Sequence, residues 1–246
     1  MANFRPLNNY ALFILDKLIN RYKLQPPFLD IACGTGYLSE HLGKKGWGGK
    51  AIDFSSEAVK IAKKNLVPYK KVVVEKKDAD LEKGRYKTIL MFDLLEHIKD
   101  DRQFLKKIYS LLLPNGHLVI AVPANPKEWR WDDEFYGHFR RYTEDELEDM
   151  LIKTGFKPII CYDYTFPVFW FLRRAYISLK NNPQESKDIK SRTKESGYKY
   201  TWNIPFISSI LNNLTFIWYP IYFIQYILFK KAVYFGCAIF ILAQKK

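Results

Sequence analysis

The chain has 246 residues, 48% of them hydrophobic and 17% aromatic, and a formal net charge of +13. That length fits one domain, or one domain with a large insertion, and the apolar content excludes disorder as the default state. Three cysteines (Cys33, Cys161, Cys237) show neither paired nor metal-type spacing, which excludes a disulfide framework and favours a reduced, cytosolic setting.

Residues 7–22 place Leu7, Tyr10, Ala11, Ile14, Leu15, Leu18 and Ile19 on one face of an amphipathic helix. Tyr10 is expected in the core. Asp16 and Lys17 interrupt the run, so no signal-peptide pattern is expected. Pro26-Pro27 ends the segment and launches Phe28-Leu-Asp-Ile-Ala-Cys-Gly-Thr-Gly36, a short strand followed by a small-residue loop. Tyr37 then opens a helical pattern. A strand, a Gly-rich turn and a helix let the backbone approach a ligand and aim amide groups at it. Gly34 and Gly36 fit the G-x-G-x-x-G of a dinucleotide site, but Ser39 stands at the third position. Asp30, just before the loop, would repel a pyrophosphate and suits a cationic group instead.

Lys50-Ala-Ile-Asp53 reads as a second strand ending in an acid, 17 residues after Gly36 and near the spacing at which an acid holds ribose hydroxyls. One acid for an amine or sulfonium and one for a ribose describe S-adenosylmethionine better than NAD. Ser55 or Ser56 can cap a helix through Asn65, with Glu57 in its first turn. Val72–Val74 and Lys87–Phe92 are further strands, and Arg102–Leu113 is a helix stopped by Pro114-Asn-Gly. His117–Val122 is the fifth strand. Short apolar runs alternating with helices imply parallel β-α-β units with ligands at the carboxyl ends of the strands, where Asp30, Asp53, Asp78 and Asp93 fall.

Asp93, Glu96 and His97 form a polar cluster after the fourth strand. Carboxylates and imidazole can ligate a divalent metal, but helix-start acids are commonly capping groups, and no metal is assigned. Residues 129–142 read as a loop too polar for a core, mixing aromatics, acids, His138, Arg140 and Arg141, ahead of a Thr143-x-x-Glu146 capping box and a helix to Gly155. Arg140 or Arg141 can clamp a carboxylate or phosphate; the alternative is pairing with Asp132, Asp133 and Glu134. His138, and after it His97, are the candidate bases.

Phe156–Tyr164 is a sixth strand and Tyr234–Lys246 a last one. The 68 or so residues between them, 165–232, far exceed an ordinary hairpin loop. Phe166–Leu179 and Trp202–Phe229 are aromatic and apolar, while Asn181–Lys199 is polar and expected to be mobile. Leu214–Phe229 has only 16 residues, short of the ~20 that span a bilayer.

Taken together, residues 28–123 resemble the class I S-adenosylmethionine-dependent methyltransferases, of the ubiquinone-pathway O-methyltransferase kind. Asp30–Gly36 resembles their first motif, with Ala32 for its first glycine. The resemblance implies S-adenosylmethionine as cofactor. It sets Asp30, Ala32, Cys33, Gly34 and Gly36 at the methionine end, Asp53 on the ribose and Phe54 beside the adenine. Asp78 and Ala79 meet the adenine amino group, and Phe92 and the D-x-x-E-H run lie over the methyl end. The Gly137-His-x-Arg-Arg-Tyr142 string resembles an acceptor-facing loop in one branch, so His138, His97 and Arg141 are the catalytic candidates. The fold implied is α/β: a Rossmann-like, seven-stranded, mostly parallel sheet with an antiparallel last strand and an aromatic-rich helical insertion between strands 6 and 7. The expected division is a core of 1–164, a lid of 165–232 that faces acceptor or membrane, and a last core strand of 233–246.

The expected reaction is methyl transfer to a hydrophobic or lipid-like acceptor. Alternatives are a peptide terminus or soluble metabolite under a closed lid, and a non-catalytic, membrane-docked scaffold. The positive charge suits anionic lipid headgroups, with a peripheral position at the inner membrane face. Nucleic acid is disfavoured, because the position that carries Asn-Pro-Pro-Tyr in nucleic-acid methyltransferases reads Phe92-Asp-Leu-Leu here.

Overall fold

The structure, a computed structural model, describes residues 6–179 and 215–246. The expectation of a mobile 181–199 falls outside these residues. Helix α1 (Pro6–Tyr22) precedes the alternating series β1 (Phe28–Ile31), α2 (Tyr37–Lys44), β2 (Gly49–Asp53), α3 (Ser56–Asn65), β3 (Val72–Lys76), β4 (Tyr86–Phe92), α4 (Asp101–Leu111) and β5 (Leu112–Pro123). Then come α5 (Trp131–Tyr136), α6 (Glu144–Lys153), β6 (Phe156–Asp163), α7 (Val168–Leu179), α8 (Thr215–Phe229) and β7 (Ala238–Lys245). The seven strands form one sheet in the order β3-β2-β1-β4-β5-β7-β6. Strands β1 to β5 pair in parallel, whereas β7 runs antiparallel to both β5 and β6. The sheet is therefore the expected one.

Period-2 alternation divides the core. Phe28, Ala51, Leu90, Val119 and Phe240 face α1, α2, α7 and α8. Leu29, Ile52, Ile89, Leu118 and Ile241 face α4 and α6. Tyr10 is fully buried and stacks on Phe169 and Tyr222, so it is a core residue. The described parts of the insertion are helical. They fold back on α1, where Tyr222 donates to the Pro6 carbonyl at 2.9 Å.

Two boundaries differ from the sequence reading. The fourth helix ends at Leu111 and Pro114-Asn-Gly lies inside β5, as a bulge between the pairings Leu112–Tyr86 and His117–Thr88. Asn115 takes a left-handed φ of 58°, which lets the extra residues loop out without ending the strand. The last strand begins at Ala238 rather than Tyr234. Ahead of it the Cys237 amide donates to Thr165 Oγ1 at 2.8 Å instead of to a neighbouring strand.

Close backbone contact makes Gly49 a sensitive position. A Cβ there would meet the Phe28 carbonyl oxygen at 2.4 Å and its ring at 2.5 Å. Gly49→Ala is expected to cost about 1–3 kcal/mol, read as a lower urea midpoint with an unchanged slope.

Between β3 and β4 the chain is tied down by Glu82, almost fully buried. It accepts from Lys77 Nζ at 3.0 Å, Tyr86 Oη at 3.0 Å and the Gly84 amide at 2.7 Å. Burial would raise its pKa, but these partners outweigh it and hold the carboxyl down at about 2. A depressed folded-state pKa contributes stability that is present above the unfolded value of 4.5 and lost as pH falls towards 2. The contribution is about 3 kcal/mol. Urea unfolding should show the stability gap between native protein and Glu82→Gln at its largest near neutral pH. The gap should close across that acid window; one that persists at the bottom of the window contradicts the assignment.

Candidate active site

The carboxyl ends of β1, β2, β4 and β5 open into a cavity of about 560 Å³. Its floor is the loop after β1. The Cys33 amide donates to the Ile52 carbonyl at 3.0 Å and Asn65 Nδ2 to the Thr35 carbonyl at 2.9 Å, which fix the loop to β2 and α3. Gly36 adopts φ 83°, and a Cβ there would press on Leu66 at 3.0 Å and Ala62 at 3.3 Å. Ala32 takes φ 57°, a left-handed backbone that glycine adopts more readily.

Asp53 is the clasp of this loop. Its Oδ2 accepts from the Gly34 amide at 2.9 Å and its Oδ1 from the Ser55 amide at 2.8 Å. Burial raises its pKa against those two bonds. Asp30 is also buried, with Oδ2 accepting from Ser39 Oγ at 2.7 Å. Ser39, which departs from the dinucleotide pattern, thus has a definite task. Burial, opposed by the Ser39 bond and aided by the Asp53 charge, pushes Asp30 up to about 7. A cation beside it would restore the full carboxylate charge, so the pair of acids favours a positively charged ligand.

Ala32, Cys33, Gly34, Asp53, Phe54, Asp78, Ala79, Phe92, His97 and His138, all named from the sequence, line the cavity. Asp30 and Gly36 stand behind its wall and shape the loop. Arg141 lies outside it. This guanidinium is buried and donates to Asp133 Oδ1 at 2.8 Å and to the carbonyls of Ala124 at 3.0 Å and Cys237 at 2.9 Å. Arg140 binds Asp101 Oδ2 at 2.6 Å and the Lys99 carbonyl. Both arginines thus hold protein groups: Arg141 pairs with Asp133 as the acid-pairing alternative has it, whereas the partner of Arg140 is Asp101, outside the acids it named.

The two histidines meet edge to face with ring centroids 4.8 Å apart. His138 Nδ1 lies 2.8 Å from Asp133 Oδ1, and since a carboxylate only accepts, Nδ1 carries a proton; in the neutral ring this leaves Nε2 as the lone pair. Burial raises Asp133, but the His138 bond and the Arg141 charge outweigh it and hold the carboxyl down at about 2. His97 donates from Nδ1 to the Gly137 carbonyl at 3.3 Å. Burial, then the His138 charge, pushes it down to about 4, so it is neutral at physiological pH. Asp93 sits at a left-handed φ of 50°, and the surrounding protein pushes it up to about 6. Glu96 is fully buried with neither carboxylate oxygen hydrogen-bonded among the described residues. Burial, then the Asp93 charge, raises its pKa well above the ordinary range. Glu96, His97 and His138 can each offer a ligand atom within a 4.8 Å group.

Asp133 as the partner of His138 was not read from the sequence. The signal was present: Gly137, at φ 77°, is the left-handed residue that closes α5. The turn brings His138 back over Asp133, where its amide also donates to the Asp133 carbonyl at 2.9 Å. Arg173 of α7 then joins the insertion to this network. It is bidentate to Asp132, at 2.7 and 3.0 Å, and reaches Asp133 Oδ2 at 3.2 Å. Asn8 of α1 and Tyr136 of α5 also line the cavity.

A Gly loop clasped by an acid at the end of β2, on a sheet of this order, defines an α/β protein that binds a nucleoside-bearing cation at its strand ends. The sequence model of a family described as "Methyltransferase domain" matches residues 8–160. The chain belongs to that family. It is 28% identical over 137 residues to a ubiquinone biosynthesis O-methyltransferase of Marinobacter nauticus, covering 52% of this chain and 58% of that protein. The chain spans about half the length of the curated relatives it matches. Among solved structures, the [4+2]-cyclase SpnF is similar at a TM-score of 0.63 and 15% identity, over 96% of this chain and 80% of that one. The N-methyltransferase NodS of Bradyrhizobium japonicum, in complex with S-adenosyl-l-homocysteine, is similar at 0.53 and 18%, over 64% and 79%. These structures share the fold. That one of them is a cyclase shows why activity must be argued from the site.

Proposed function

We propose that this protein is an S-adenosylmethionine-dependent methyltransferase that methylates a hydroxyl on a hydrophobic, lipid-like acceptor. The observation that carries the reading is the His138–Asp133 pair: an imidazole whose Nδ1–H is tied to a buried carboxylate, in the cavity that the cofactor loop also lines. The cofactor, when bound, supplies a methyl carbon on a positively charged sulfur. The residues present fit it. Asp53 has acceptor capacity left for ribose hydroxyls, Phe54 offers an apolar face for the adenine and Asp78 an acceptor for its amino group. Asp30, behind the loop, complements the cationic amino end through its charge. His138 takes the acceptor's proton at Nε2, and Asp133 stabilises the resulting imidazolium. Alignment of the two reactants supplies much of the remaining acceleration. Ubiquinone biosynthesis is named for the relatives, and the aromatic helix α7 joins the His138 network through Arg173, which together favour an apolar acceptor over a soluble metabolite.

Calorimetric titration with S-adenosylmethionine and its demethylated product comes first. Saturable binding of both, followed by transfer of labelled methyl to a prenylated phenol in preference to its short-chain analogue, is the expected result. If neither ligand binds, the enzyme reading fails. Binding without transfer to any hydroxylated acceptor leaves the scaffold reading in its place.

The cluster of Glu96, His97 and His138 supports a second reading, in which a divalent ion rather than a free base activates the hydroxyl. The orphaned Glu96 carboxyl favours it, since a cation would restore its charge. Dialysis against a chelator separates the two: loss of turnover restored by added zinc or manganese selects the ion, and unchanged turnover selects the base.

A further inference from the structure

Helix α8 is inside out. Surface helices of soluble domains bury their apolar stripe and show polar residues to water. Here the buried side carries Gln225, whose Nε2 donates to the Tyr164 carbonyl at 3.2 Å, and Tyr222, which binds the Pro6 carbonyl. The outward side is two rows at four-residue spacing, Tyr219-Phe223-Ile227 and Pro220-Ile224-Leu228. Its large side chains are 46–66% exposed. From Thr215 to Phe229 there is no charged residue. Tyr234 and Phe235, 67% and 63% exposed, extend the apolar surface past the end of the helix.

The rim of this face is cationic. Lys230 and Lys231 follow the helix directly, and Lys230 Nζ lies 4.5 Å from the Tyr226 ring centre. On α1, Lys17 sits 5.0 Å over Phe13, whose ring meets Tyr219. The Arg21 charge acts on Tyr162, the ring that both lysines also flank. None of Lys17, Arg21, Lys230 and Lys231 joins an ion pair among the described residues. An apolar strip bordered by unpaired cations matches the interface of an anionic bilayer, whose acyl boundary takes the strip while its headgroups take the cations. A second copy of the chain fits poorly, because it would set the same cations against one another. No helix among the described residues is long and apolar enough to cross a membrane.

We propose that the outer face of α8, with Tyr234 and Phe235, docks the protein on an anionic lipid surface, α8 lying in the interface plane. The docking itself does not depend on the proposed reaction.

The test is co-sedimentation of the full chain with vesicles of phosphatidylcholine alone and of phosphatidylcholine with phosphatidylglycerol, at low and at high salt. Binding to the anionic vesicles that weakens with salt is expected. Phe223→Glu with Ile227→Glu should reduce it by at least about tenfold. Arg21→Gln with Lys230→Gln should weaken it by roughly fivefold per charge at low salt. Both pairs are at the surface, so each variant should keep the native melting temperature and S-adenosylmethionine affinity, which separates lost docking from lost folding. Absence of binding to anionic vesicles at low salt overturns the proposal. So does vesicle binding that the glutamate pair leaves intact, or a dimer in solution that the same pair dissolves.

Discussion

Asp53→Ala should raise the dissociation constant for S-adenosylmethionine by about 10²–10⁴-fold. Two effects combine. The substitution removes the acceptor assigned to the ribose hydroxyls, and it releases the Gly34 and Ser55 amides, at 2.9 and 2.8 Å, that hold the loop to the end of β2. A hydrogen bond to a charged group is worth roughly 1.5–3 kcal/mol, so losing two such contributions gives the stated range. Folding should suffer less than binding. Burial already disfavours the Asp53 charge, and the alanine variant no longer buries it. Asp53→Asn keeps one oxygen acceptor and should fall between native protein and alanine variant. Calorimetry on the three proteins measures this directly; an alanine variant within about threefold of native affinity would remove Asp53 from the cofactor site.

His138→Ala should lower kcat by about 10²–10⁴-fold while the affinity for S-adenosylmethionine stays native, because the lost group acts on the acceptor's proton. Asp133→Asn tests the same chemistry at one remove. An asparagine amide can present its N–H₂ to Nδ1, which moves the ring proton to Nε2 and leaves no lone pair for the acceptor. A fall in kcat with an unchanged KM for cofactor is the expected signature. Asp133 also pairs with Arg141 and Arg173, so the melting temperature must be read alongside. Asp132→Asn provides the control. It weakens the Arg173 clamp without touching the His138 bond, and it should reproduce any structural loss but not the loss of kcat. Native kcat in His138→Ala would show that the acceptor needs no base from this residue.

Much of the cofactor half of the cavity was legible in the sequence, because its signals are local. A strand, a small-residue turn and a helix follow one another within Phe28–Lys44, and the acid that clasps them ends the next strand. The capping box at Thr143 and the alternation of β-branched runs with helices are likewise written within a few residues. The acceptor half was less legible. His138 and His97 were singled out one by one, but their edge-to-face meeting across 41 residues follows from how the turns after β4 and α5 pack together, the Phe139 amide donating to the Glu96 carbonyl at 2.8 Å. Arg141 looked like a ligand clamp because an arginine's partners are chosen in space. Its third partner, the Cys237 carbonyl, lies 96 residues away.

The amino-acid sequence alone determined the order of strands and helices apart from α5, which forms in a stretch read as a polar loop and buries Asp133, the antiparallel last strand implied by the family resemblance, and which residues would stand at the strand ends. Backbone sterics and side-chain periodicity act over two to four residues, and each window of the chain carries them whole. Only the tertiary structure decided which acid orients which histidine, that both arginines bind protein groups, and that α8 turns its aromatic rows outward. Those outcomes depend on which surfaces meet once the chain has collapsed. Tyr222 finds its acceptor at Pro6, 216 residues distant, and that one contact sets which side of α8 faces the core and which is left for a lipid surface.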